Sequence, residues 1–179
     1  PHNTAESAQA FLLALRAKGY HPRVVVTDLR QDYGPAIARV FPRAQHHECL
    51  FHAAQALHRQ LADIYGWDAM KHDTHVMALR QAFDGPLQAR TKRTAQRRYD
   101  ELMDQRDAWV EEKPELTAVF ASLEAHWPKL VNGIESKLIP TTNNTVELVI
   151  RRFDQHYQNF CGFDSLETAE QFLGVFEKV

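Results

Sequence analysis

Cysteine is nearly absent. Cys49 and Cys161 are the only two in 179 residues, too few for a disulfide framework, so reduced thiols are expected. No apolar run approaches the roughly 20 residues that a bilayer-spanning helix requires. The N-terminus lacks both a basic start and an apolar signal core, so no membrane partner is implied and a cytoplasmic location is the expectation. A basic excess is missing too: the formal net charge is -2, which counts against a stand-alone nucleic-acid-binding module. No internal repeat or low-complexity tract stands out. Acids are scarce at the start, with Glu6 alone preceding Asp28. What remains, 44% hydrophobic and 25% charged residues, is enough to bury a sizeable core.

The pattern along the chain is mostly helical. Asn3-x-x-Glu6 fits an N-cap with its reciprocal glutamate, followed by the apolar stripe Phe11, Leu12 and Leu15 and a stop at Gly19. Val24-Val25-Val26 lacks alternation and reads as a strand covered on both faces, as in parallel sheets. Gly34-Pro35 opens a short helix through Ile37 and Val40 that Pro42 ends, and a second strand follows at residues 44–48. Four helical stripes then succeed one another: Phe51, Ala54, Leu57 and Leu61; Val76, Leu79 and Phe83, closed by Gly85-Pro86; a polar stretch from Leu87 to Trp109; and Leu116, Val119, Phe120 and Leu123 before Pro128.

Two carboxylates occupy special settings. Asp28 ends the run Val24-Val25-Val26-Thr27, where parallel sheets gather ligands, while the nearby Asp32 suits an N-cap for the next helix. Glu147 lies in Thr141-Thr142-Asn143-Asn144-Thr145-Val146-Glu147, beside the core stripe of a helix that begins near Asn143 or Asn144. Asn144-x-x-Glu147 also fits a purely structural cap. Asp164-x-x-Glu167 caps the last helix. His46, His47, Cys49 and His52 resemble half of a zinc site, without the second spaced pair that structural zinc usually needs. Arg90, Lys92, Arg93, Arg97 and Arg98 form a basic cluster, with Asp100, Glu101 and Asp104 close behind, which favours a solvated helix face.

Taken together, residues 24–28, Tyr33, Ala36-Ile37, Phe41-Pro42, His47 and Cys49-x-x-His52, followed by Pro140 to Asn144, Glu147, Arg151-Arg152-Phe153, Gly162-Phe163 and Ser165, resemble the second-acid and last-acid regions of DDE transposases with an RNase H-like catalytic domain. The bacterial insertion-sequence and Mutator-like branches are the most similar. The resemblance implies a predominantly helical α/β fold in three parts. Residues 1–48 would form a partial RNase H-like core with short parallel strands around 23–28 and 44–48. Residues 49–140 would form an all-helical insertion, and residues 141–179 the C-terminal helices carrying the last acid.

That family cuts DNA and transfers strands with two divalent ions, Mg2+ or Mn2+, held roughly 3.5 to 4 Å apart by three carboxylates. The resemblance therefore implies Asp28 and Glu147 as catalytic metal ligands, His52 beside the scissile phosphate or a carboxylate, and Asn143, Asn144, Arg151 and Arg152 as DNA contacts. The partners implied are transposon ends and target DNA, over the bacterial nucleoid. The family's first catalytic Asp stands upstream of the helix that residues 1–20 resemble. A catalytic domain without its first three strands is thus expected, inactive by itself, with a strand edge open to a second copy in a homo-oligomer. Two other functions stay open: a non-catalytic helical docking module derived from a transposase, and a zinc-stabilised regulatory domain.

Overall fold

The computed structural model describes residues 4–135 and Gln155. Eight helices and two strands are found among them, in the order α1 (Ala5–Ala17), β1 (Val24–Thr27), α2 (Tyr33–Val40), β2 (Gln45–Glu48), α3 (Leu50–Tyr65), α4 (Ala69–His72), α5 (Thr74–Leu87), α6 (Lys92–Asp104), α7 (Arg106–Glu112) and α8 (Leu116–Leu130), with a 3-10 turn at Val131–Gly133. The fold is α/β and predominantly helical, as expected. The chain divides into two compact units, Pro1–Thr142 and Asn143–Val179. The expected C-terminal helices over 141–179, with Asn143, Asn144, Glu147, Arg151 and Arg152, lie outside the described residues.

β1 forms where β-branched residues are concentrated, whereas β2, Gln-His-His-Glu, has none and is held by its parallel pairing with β1, with Val24 opposite Gln45 and Thr27 opposite Glu48. All four residues of β1 are only partly buried, so the expectation of a strand covered on both faces is not met. The connection between the strands is α2. Its Ala36, Ile37 and Val40 pack with Leu12 of α1 and Phe41 into a small core beside the sheet.

A second, larger core is all-helical. Leu57 and Leu61 of α3, Leu79 and Phe83 of α5, Leu102 of α6, and Phe120 and Leu123 of α8 meet there, and the Phe83 and Phe120 rings lie 4.9 Å apart. The stripe on α3 holds at Leu57 and Leu61 and departs from the sequence pattern at its start, where Leu50 and Ala53 are buried and Phe51 is exposed. On α1, likewise, Leu12 is buried and Phe11 exposed.

Several helix boundaries differ from the sequence reading, each for a local reason. Thr4, not Asn3, caps α1, because the Ser7 hydroxyl three residues on returns the bond to the Thr4 backbone. Asp32 occupies the cap position of α2 without a side-chain cap bond; its carboxylate pairs with Arg30 instead. Proline does not stop α5 or α8. Pro86 and Pro128 lie inside them near the C-terminal ends, where each removes one intrahelical bond and few turns remain to be disturbed, and burial of Leu87 and Leu130 holds the last turn. The Gly85 carbonyl is taken up by Arg98 Nη1 at 2.9 Å. The single long helix expected from Leu87 to Trp109 is two, α6 and α7, broken at Gln105.

Candidate functional site

Parallel strands point their carbonyl ends the same way, and chemistry collects at that end. Asp28 follows the last residue of β1, half-buried, and its Oδ1 accepts the backbone N–H of Arg30 at 3.1 Å. This turn fixes the carboxylate's direction with one bond to one oxygen. The preceding Thr27 hydroxyl contacts the Asp28 carbonyl at 2.7 Å and His46 Nε2 at 2.8 Å. A carbonyl only accepts, so the hydroxyl donates to it and receives the imidazole N–H. His46 thereby braces the end of β1 from the neighbouring strand.

The sequence reading missed the residue beside this brace. Glu48, in register with Thr27, is fully buried, and it is the one buried carboxylate among the described residues. Both of its oxygens are engaged by one face of α8: Oε1 receives Lys129 Nζ at 3.0 Å and Oε2 receives His126 Nδ1 at 2.6 Å. His126 and Lys129 are three residues apart and so share that face. An acid taken out of water is tolerated only when paired and hydrogen-bonded this completely. No local pattern announces it, since the acid and its two partners are about 80 positions apart.

The two histidines before Glu48 are held in low-pKa surroundings. His47 is completely buried, and burial is the main cause that pushes its pKa down, with Lys92 adding to it and both the Lys129 carbonyl and Glu48 opposing. Its Nδ1 meets the Lys129 carbonyl at 2.8 Å, so Nδ1 carries the hydrogen and Nε2 is a buried acceptor with no partner among the described residues. The ring lies flat against Gly133, where a Cβ would fall 2.2 Å from it. Burial also lowers His46, reinforced by Lys129 and His47 and opposed by Glu48. Both rings are therefore neutral struts at neutral pH.

Cys49 stands at the N-cap position of α3, directly after β2, and is buried. His52 follows on the first turn of α3, its ring edge-on to Phe51. No group of three or more His, Cys, Asp or Glu among the described residues is arranged to hold a metal, so the zinc reading of His46, His47, Cys49 and His52 gains no support there. In the basic cluster, Arg97 pairs with Glu101 and Arg98 with the Gly85 carbonyl, as a solvated helix face should.

A family model described as the IS66 family of transposases matches residues 37–171. The chain belongs to the IS66 transposase family. The matched span of this IS66-family chain includes Glu48, His52, His126, Lys129 and the segment with Glu147, whereas Asp28 precedes it. No curated protein and no solved structure matches the chain.

Proposed function

We propose that this IS66-family chain contributes the catalytic domain of a DDE transposase, performing metal-dependent phosphodiester cleavage and strand transfer on transposon ends and target DNA. One observation carries the proposal in a transposase-family chain: a partly exposed carboxylate, Asp28, stands at the C-terminal end of a parallel strand with one oxygen fixed by the Arg30 N–H. Its donor chemistry fits a hard divalent cation, Mg2+ or Mn2+, which prefers carboxylate oxygen. When bound, two such ions supply Lewis acidity to the phosphodiester and lower the pKa of the attacking hydroxyl.

The chain's own residues do the rest. Asp28 and Glu147 are the ligands, Asn143 or Asn144 orients Glu147 or the DNA backbone, and Arg151 and Arg152 offset phosphate charge. His52, on the first turn of α3, contacts the scissile phosphate or a catalytic carboxylate. Glu48 is not a ligand in this reading, because Lys129 and His126 occupy both its oxygens; it fixes β2 against α8 and, through His46 and Thr27, steadies the turn that carries Asp28. The strands β1 and β2 are assigned as neighbours in an RNase H-like sheet, and the working form as a homo-oligomer.

The test is Asp28→Asn in the full-length transposase. Strand transfer should fall by at least about three orders of magnitude while DNA affinity is kept, as expected for loss of a metal-ligating charge. Wild-type transfer by the variant would overturn the assignment.

A further inference from the structure

The opposite ends of β1 and β2 carry a second feature that the proposed chemistry leaves unused. A groove of about 540 Å3 opens there between the end of α1, the residues entering β1 and the turn before β2. Arg16, His21, Arg23 and Arg43 line it, and no Asp or Glu does. All four are exposed. Elsewhere Arg30 pairs with Asp32, Arg97 with Glu101 and Arg106 with Glu124, while Arg39, Arg80 and Arg98 bond to neutral acceptors; what sets this groove apart is three arginines around one concavity with no acid in its lining. None of the three arginines in the groove makes an ion pair among the described residues.

Their backbones are nevertheless fixed. The Arg23 carbonyl accepts the Gln45 N–H at 2.9 Å, extending the ladder between the strands, and the Ala44 N–H to Phe41 carbonyl bond at 2.9 Å closes the turn that presents Arg43. Arg16 Nη1 donates to the Val40 carbonyl at 3.3 Å, which ties its guanidinium to the groove wall. Like charges held together without counter-charge repel one another, and a bound anion removes that cost. Guanidinium forks in particular match the paired oxygens of a phosphate.

We propose that this groove seats the sugar-phosphate backbone of DNA, independently of sequence. The proposal rests on the reading that the chain works on DNA. β1 spans about 13 Å, about four base-pair steps along a duplex, so a DNA segment whose scissile bond lies at Asp28 has further phosphates within reach of the opposite strand ends. Arginines aimed at phosphate fix position and carry no base information.

The experiment uses the full-length transposase and fluorescence anisotropy with two labelled duplexes, a transposon end and a scrambled sequence, between about 50 and 200 mM salt. Arg23→Gln with Arg43→Gln should weaken both duplexes equally, by about tenfold at the low end. It should also make the slope of log K against log salt shallower by about 1.8, two phosphate contacts' worth. Arg23→Lys with Arg43→Lys, which keeps the charge, should restore most of the slope and guards against a folding defect. An unchanged slope, a loss confined to the transposon end, or a loss of binding to an acidic peptide with DNA binding intact would each overturn the proposal. The catalytic reading fails separately: strand transfer by Asp28→Asn sinks that reading and leaves the groove standing. Unchanged DNA binding by the arginine variants, beside an inactive Asp28→Asn, does the reverse.

Discussion

The two ends of the same pair of strands handle charge in opposite ways. At the C-terminal end, Glu48 is wholly buried and each oxygen has its own donor from α8, Lys129 and His126. At the N-terminal end, Arg16, Arg23 and Arg43 stand exposed around a groove with no acid in its lining. Burial explains the difference. A charge in low dielectric must be neutralised within the fold, or folding fails, whereas a charge in water can stay unmatched and be available to a partner. Pairing is thus a condition of folding at the buried end, whereas the arginines around the groove can meet a partner's charge without cost to the fold.

The comparison breaks most readily at the buried end. Lys129→Met removes the lysine that holds Glu48 Oε1 and leaves His126 as the one partner of the carboxylate; about 3 kcal/mol of stability should be lost in urea denaturation. A loss below about 1 kcal/mol would mean that Glu48 finds other partners and that the end is not closed by this pair. Gly133→Ala comes next. Its Cβ would lie 2.2 Å from the His47 ring, a ring that cannot retreat because it is buried and bonded to the Lys129 carbonyl. The expected cost is about 2 kcal/mol, measured by the same transition.

Acid sharpens the contrast with a smaller effect. His46 and His47 titrate below the ordinary imidazole value because burial disfavours their charged forms. Unfolded imidazoles protonate near about pH 6.5, so the folded state refuses protons that the unfolded state accepts. Stability is fully present above that pH and is lost as the pH falls from there through the lower folded values. Denaturation midpoints at pH 7.5 and 5.5 should differ in that sense, and equal midpoints would contradict neutral, buried rings. At the exposed end, the arginine substitutions used for DNA binding should move stability by no more than about 0.5 kcal/mol.

Much of this organisation was legible in particular residues. The β-branched run at 24–26 announced β1 and Gly34-Pro35 the start region of α2, because each is a local preference of the backbone. The stripe of α3 was legible at Leu57 and Leu61 but not at its start, since Phe51 and Leu50 are equally apolar and only packing against α5 and α8 tells which turns inward. Pro86 and Pro128 were read as stops for a similar reason: a local rule was outweighed by burial of the residue or two beyond them. In the candidate site, Asp28 was visible from its place after β1. Glu48 was not, since an acid between His47 and Cys49 gives no sign of burial until α8 arrives with His126 and Lys129.

By itself, then, the sequence determined what depends on neighbours along the chain: the helical majority, the two short strands, the acid at the end of the first, and a resemblance to transposases that the family match bears out. Only the tertiary structure decided which charges are spent inside and which stay in water. That division depends on dielectric surroundings and on partners from distant segments, and local sequence holds neither.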